Sequence, residues 1–187
     1  LRGRGIAWSP NDKQLVFSAK AGAEHQIHIV DIKTEKIVRS IETGLESIYN
    51  TTWSPDGKSI VFARTEVYQK DSIADASSVL LDEHDVPEFI EDKEPFKFNL
   101  YRVPFNEGRG GKAEPIEGAS HNGMSNFFAK FSPDGKWLAA GGGTPGALGQ
   151  VRLWSVPEKR EVRAYGIQTD AVACVGLDSV GSHLALL

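Results

Sequence analysis

Asp82, Glu83, His84 and Asp85 stand side by side, and Glu91 and Asp92 follow closely. Carboxylates grouped this densely do one of two things. They ligate a hard cation, with His84 adding a nitrogen, or they face a basic partner. A run of like charges is also what a solvated segment looks like, and that accounts for the cation pattern without a metal. Asp82, Glu83, Asp85, Glu91 and Asp92 are therefore candidate partner-binding residues, and no metal is assigned to them.

Other spacings that suggest chemistry are better explained otherwise. Gly141-Gly142-Gly143-Thr144-Pro145-Gly146 satisfies GxGxxG, which holds a pyrophosphate only when it opens a helix. Pro145 and the strand-like Val151 to Val156 make it a loop between strands. Gly108 to Lys112 resembles a phosphate loop faintly, but Ala113 replaces the Ser or Thr that would bind magnesium, so a turn is expected. His25 and His28 are three apart and point to opposite faces of a strand. Ser120-His121 lacks the glycine pattern of a nucleophile elbow. Asn50-Thr51-Thr52 is a glycosylation sequon placed inside a predicted strand. These residues assign no catalytic role, no cofactor and no enzymatic activity to the chain.

Composition points the same way. The chain has 187 residues, 40% hydrophobic and 25% charged, with 19 Gly and 9 Pro, as many short strands and turns require. A net charge of -4 argues against a general grip on nucleic acid. Cys174 is alone, so an internal disulfide is excluded. No apolar run reaches the length of about 18 residues that a membrane-spanning helix needs.

One element repeats. Trp53-Ser54-Pro55-Asp56-Gly57-Lys58 precedes the apolar run Ile60-Val61-Phe62, and Phe131-Ser132-Pro133-Asp134-Gly135-Lys136 precedes Leu138-Ala139. Trp8-Ser9-Pro10-Asn11-Asp12-Lys13 is a looser copy, and Leu177-Asp178-Ser179-Val180-Gly181 a faded one. Pro55 and Pro133 preset φ for a turn, Asp56 and Asp134 bond backbone ahead of them, and Gly57 and Gly135 supply positive φ. Asp12 takes the glycine position in the first copy; Asp tolerates the left-handed region better than most residues. The runs after the turn show no clean alternation, as expected of strands covered on both faces.

Trp8 to Trp53 is 45 residues and Phe131 to Leu177 is 46, the period of a four-stranded propeller blade. Trp53 to Phe131 is 78, so the second unit holds extra residues. These fall in 66–97, where ten acids face three bases for a net of -7, leaving +3 on the rest of a -4 chain. The expected architecture is an all-β partial β-propeller of about three and a half blades, spanning 5–44, 45–118, 119–166 and an incomplete 167–187. The insert at 66–97 projects from the second blade. The recurring aromatics Trp8, Trp53 and Phe131 are expected to pack between blades.

The hairpins over about residues 5–140 resemble the TolB-like propeller repeat of bacterial exported proteins. From Gly141 onward the chain is similar to a WD repeat: Val151-Arg152-Leu153-Trp154-Ser155 matches the Trp-Asp strand, with Ser155 in place of Asp, and Gly166-Ile167 replaces Gly-His. The resemblance implies a non-enzymatic scaffold that binds a protein partner, in the periplasm or otherwise exported, with further blades outside this chain. The alternative is an accessory propeller of a prolyl-oligopeptidase-type serine peptidase, whose catalytic domain would lie beyond Leu187.

Overall fold

A computed structural model describes residues 3–21, 24–45, 48–65, 98–143, 149–168, 172, 175–178 and 184–186. The first sheet is formed by β1 (Gly3–Trp8), β2 (Gln14–Ala21), β3 (Glu24–Asp31) and β4 (Lys36–Glu42) in sequential antiparallel order. The second has β5 (Ile48–Trp53), β6 (Ser59–Thr65), β7 (Phe98–Pro104) and the short β8 (Glu114–Pro115). The third has β9 (Phe127–Phe131), β10 (Trp137–Gly143), β11 (Gly149–Ser155) and β12 (Arg160–Gln168), and a pair follows, β13 (Val175–Leu177) and β14 (Leu184–Leu186). Successive first strands β1, β5, β9 and β13 are neighbours across the sheets, so the sheets are propeller blades arranged around their innermost strands.

Each interface between blades has its own core, and β6 shows why its sequence does not alternate. Ile60 and Phe62 face the cluster shared with blade 1, while Val61 and Ala63 face the cluster shared with blade 3. All four are essentially buried, so both faces of the strand must be apolar. Ala139, Val151, Val172 and Val175 form the smaller core toward the fourth unit. Trp53 lies in the first cluster at 6% exposure, whereas Trp8, at the corresponding place in blade 1, is 56% exposed.

The alternation in β3 holds for Ile27 and Ile29, which are fully buried, but His28 on the opposite face is buried too. Its ring lies 5.2 Å from that of Phe17 and its Nδ1 is 2.8 Å from the Ser40 hydroxyl. Burial lowers its pKa.

The innermost strands carry a feature that sequence reasoning did not find. Gly5, Asn50 and Phe128, each three residues before the blade aromatic, have φ of 67°, 50° and 50°. The ladder of each strand shifts register there, so each inner strand contains a bulge. A Cβ on Gly5 would sit 2.5 Å from Asn50 Cα, so glycine is required for blades 1 and 2 to approach. The sequon at Asn50 occupies such a bulge, and its Nδ2 is buried.

Candidate functional site

The hairpin turns form one end of the blades. Ser54 Oγ is at their centre: it lies 2.7 Å from Asp56 Oδ1 and 3.0 Å from the Ser59 carbonyl, and it accepts the Ser59 N–H at 2.9 Å. Asp56 Oδ1 accepts the Lys58 N–H at 3.0 Å, and Gly57 N–H closes the turn on the Ser54 carbonyl at 2.9 Å. Ser132, Asp134, Lys136 and Trp137 repeat this network. Ser9, Asn11, Lys13 and Gln14 repeat it with an amide oxygen in place of the carboxylate. The serine was the residue that sequence reasoning passed over, although its recurrence before Pro10, Pro55 and Pro133 was the available signal.

Gly57 and Gly135 both have φ of 71°, and Asp12 has 56°. The Ser54 hydroxyl, then the Lys58 N–H, hold the Asp56 carboxyl below its ordinary pKa, and Ser132 and Lys136 do the same for Asp134. Pro55 lies against the next turn, within 3.8 Å of where a Cβ on Gly135 would stand, so consecutive turns stack. Pro133, Asp134 and Gly135 occupy the same places in blade 3.

The opposite end of blades 2 and 3 is polar. Thr65 and Phe98 face each other in the β6–β7 ladder, so the 66–97 connection leaves and re-enters the blade there. Arg64 and Asn99 are the next pair inward. The Arg64 guanidinium lies 5.6 Å from the centre of the Tyr101 ring, and its Nη1 is 3.4 Å from the Tyr101 hydroxyl. That hydroxyl is 3.3 Å from His121 Nε2, and the His121 N–H is donated to Asn99 Oδ1 at 2.7 Å. Asn122 and buried Asn126 brace the following loop, with Asn126 Nδ2 donating to Asn122 Oδ1 at 3.1 Å. Arg152 Nη2 reaches the Met124 sulfur of that loop at 2.6 Å, and its Nη1 is paired to Glu161 at 2.5 Å. A guanidinium, an imidazole and a phenol placed together recognise groups by charge and hydrogen bonding.

Asp82, Glu83, Asp85, Glu91 and Asp92, with His84, lie outside the described residues. Ser120 and His121 are not paired with one another, because the Ser120 hydroxyl donates to the Leu100 carbonyl. The Gly141 to Gly143 run is strand β10, and packing explains two of its glycines. A Cβ on Gly141 would lie 2.6 Å from the Val172 carbonyl oxygen, and one on Gly142 would overlap the Ser125 carbonyl. Gly108 and Gly110, with φ of 84° and 70°, form the turn expected between β7 and β8. In the WD-like strand Trp154 is buried, and its Nε1 has no hydrogen-bond partner among the described residues. Ser155 Oγ instead accepts the Glu158 N–H at 3.3 Å. Among the described residues no helix is long and apolar enough to cross a membrane, and no three ligand-type side chains gather for a metal.

No protein-family model and no curated protein matches the chain. Solved structures do. The hydrazine synthase of Kuenenia stuttgartiensis matches with a TM-score of 0.65 and 16% identity, over 100% of this chain and 43% of that one. The Cps50 (Swd1) β-propeller domain of Myceliophteria thermophila matches at 0.63 and 12%, over 99% and 48%. The Dos1 propeller matches at 0.58 and 13%, over 98% and 38%. The fold is a partial β-propeller. The chain spans less than half the length of each of these structures. Identities this low establish the fold alone.

Proposed function

We propose that this chain is a section of a non-enzymatic, TolB-like β-propeller that binds a protein partner in the periplasm or another exported setting. Its binding face is the end of blades 2 and 3 that bears the 66–97 connection. The observation that carries this reading is the register of β6 and β7. Because Thr65 pairs with Phe98, the sequence between them, of net charge -7, begins and ends at one place on the blade, beside Arg64, Tyr101 and His121. Loops on a rigid sheet are where binding residues concentrate. The Ser-Asp turns, repeated in blades 2 and 3, support the TolB-like assignment.

The test is capture of the partner by the full-length protein at rising salt, beside a variant with Asp82, Glu83, Asp85, Glu91 and Asp92 changed to Asn or Gln. The same partner is expected with both baits, recovered less with the variant and less as salt screens the charges. Equal, salt-insensitive recovery from both would remove the insert from the binding face.

A further inference from the structure

The blades, being repeats, show what belongs in each space between them. Ile32, Phe105 and Val156 are equivalent: each follows the third strand of its blade and donates its N–H to the lysine carbonyl of the hairpin turn. The distances are 3.0 Å to Lys13, 2.7 Å to Lys58 and 2.9 Å to Lys136. In blade 2 this residue is Phe105. Its ring packs edge-on against Trp53 at 4.9 Å and joins the core shared with blade 1.

The chain after Phe105 continues across the same space. A Cβ on Gly108 would lie 2.6 Å from Arg39 Cγ, and one on Gly110 would overlap the Ile41 side chain. Residues 105–113 thus lie on blade 1 and fill the cleft between blades 1 and 2.

Nothing in the described chain does this between blades 2 and 3. The connection from β11 to β12 is only Val156 to Lys159, and Val156 is 37% exposed. A cavity of about 420 Å3 remains, walled by Pro55 and Val61 of blade 2 and by Phe131, Leu138 and Trp154 of blade 3. Trp154 brings to it a buried indole whose N–H has no partner among the described residues.

The charges at the cleft are also unequal. Asp56, Glu117 and Asp134 line it against Arg102 and Lys159, a net of -1. Arg102 is drawn to Glu114 at 3.4 Å, and Asp134 to Lys136 at 3.3 Å. Residues 104–113, which include the segment that fills the equivalent cleft, carry one Glu, one Arg and one Lys, a net of +1.

We propose that the cleft between blades 2 and 3 is a peptide-binding site for a partner segment that presents one aromatic side chain beside a basic residue, in the manner of Phe105 and its loop. The aromatic ring takes the place that Phe105 occupies one blade earlier, against Phe131 and Val156. This site is separate from the insert face and does not depend on the function proposed for it.

The probe is a synthetic ten-residue peptide with the sequence of residues 104–113, fluorescein-labelled and titrated with the full chain. Saturable binding is expected below about 1 mM, and at least about tenfold weaker binding when the peptide carries Phe105→Ala, since burying one such ring is worth that much. Val156→Phe in the protein fills the cleft from within and weakens the unmodified peptide by a similar factor. Methyl resonances of Val61 and Leu138 shift on peptide addition, and those of Ile27 and Ile29 do not. The proposal is overturned by absence of saturable binding, by equal affinity for the Phe105→Ala peptide, or by shifts confined to the face bearing Arg64. If Val156→Phe does not fold, the peptide substitution and the methyl map still decide the matter.

Discussion

Gly57 offers a clean measurement of what backbone conformation alone contributes to this fold. Its φ is 71°, and the nearest atom to a Cβ placed there is Pro10 Cγ at 4.0 Å, so a side chain has room. The cost of Gly57→Ala is therefore the left-handed penalty of about 1–2 kcal/mol. Part of this is offset because alanine restricts the unfolded chain, by about 0.4–1 kcal/mol. A net loss of roughly 1 kcal/mol is expected, or about 2–4 °C in melting temperature for a chain of this length.

The first blade contains the natural control. Asp12 stands at the same turn position with φ of 56°, and the rest of the network is kept. Gly57→Asn, whose short amide suits the left-handed region, is expected to cost about half as much as Gly57→Ala. Pro55→Ala loosens the unfolded chain and trims the contact of Pro55 with the next turn, and should cost about 1 kcal/mol. Gly110→Ala is the opposite control: its Cβ meets the side chain of Ile41, itself 1% exposed, so overpacking adds about 1–3 kcal/mol to the same backbone penalty. Thermal and urea unfolding followed by circular dichroism measures all four. A neutral Gly57→Ala, or a Gly57→Asn as costly as the alanine, would refute the conformational account of the turn.

Two further predictions follow from the turns and the insert. Ser54→Ala removes the hydroxyl of a residue only 7% exposed, which engages Asp56, the Ser59 carbonyl and the Ser59 N–H, for an expected loss of about 1–3 kcal/mol at neutral pH. The folded pKa of Asp56 lies below its ordinary 3.8, so its contribution is complete above that value and is lost as pH falls through the lower folded pKa. The stability gap between wild type and Ser54→Ala should therefore narrow below about pH 3.8 in acid titrations of unfolding; a constant gap would exclude the Asp56 linkage. Replacing residues 66–97 by Asn-Gly should leave the β circular dichroism and melting behaviour nearly intact, because Thr65 and Phe98 are already opposite one another as a two-residue hairpin requires. Loss of cooperative melting in that variant would show that the segment belongs to the core.

The period, the turns and the apolar runs were legible along the chain because their causes are local. Pro, Asp and Gly act through their own φ and through bonds a few residues away, and a strand covered on both faces must lose its polar alternation. The all-β propeller could therefore be inferred from Trp53 to Phe62 and its copies. The resemblance to WD repeats likewise located Trp154, but not that its indole N–H would lack a partner among the described residues.

Only the folded chain decided the rest, because the causes come from distant residues. Gly141 opens a nucleotide-loop pattern in sequence, yet it and Gly142 are glycine because Val172 and Ser125 approach them in space. Gly5, Asn50 and Phe128 share no residue type, so their common bulge appears only when the inner strands pair. Phe105 and Val156 are unlike residues after unlike strands. Their equivalence rests on one backbone hydrogen bond to a hairpin lysine, and the difference in size between them, and in length between the connections they begin, leaves one cleft filled and the next open.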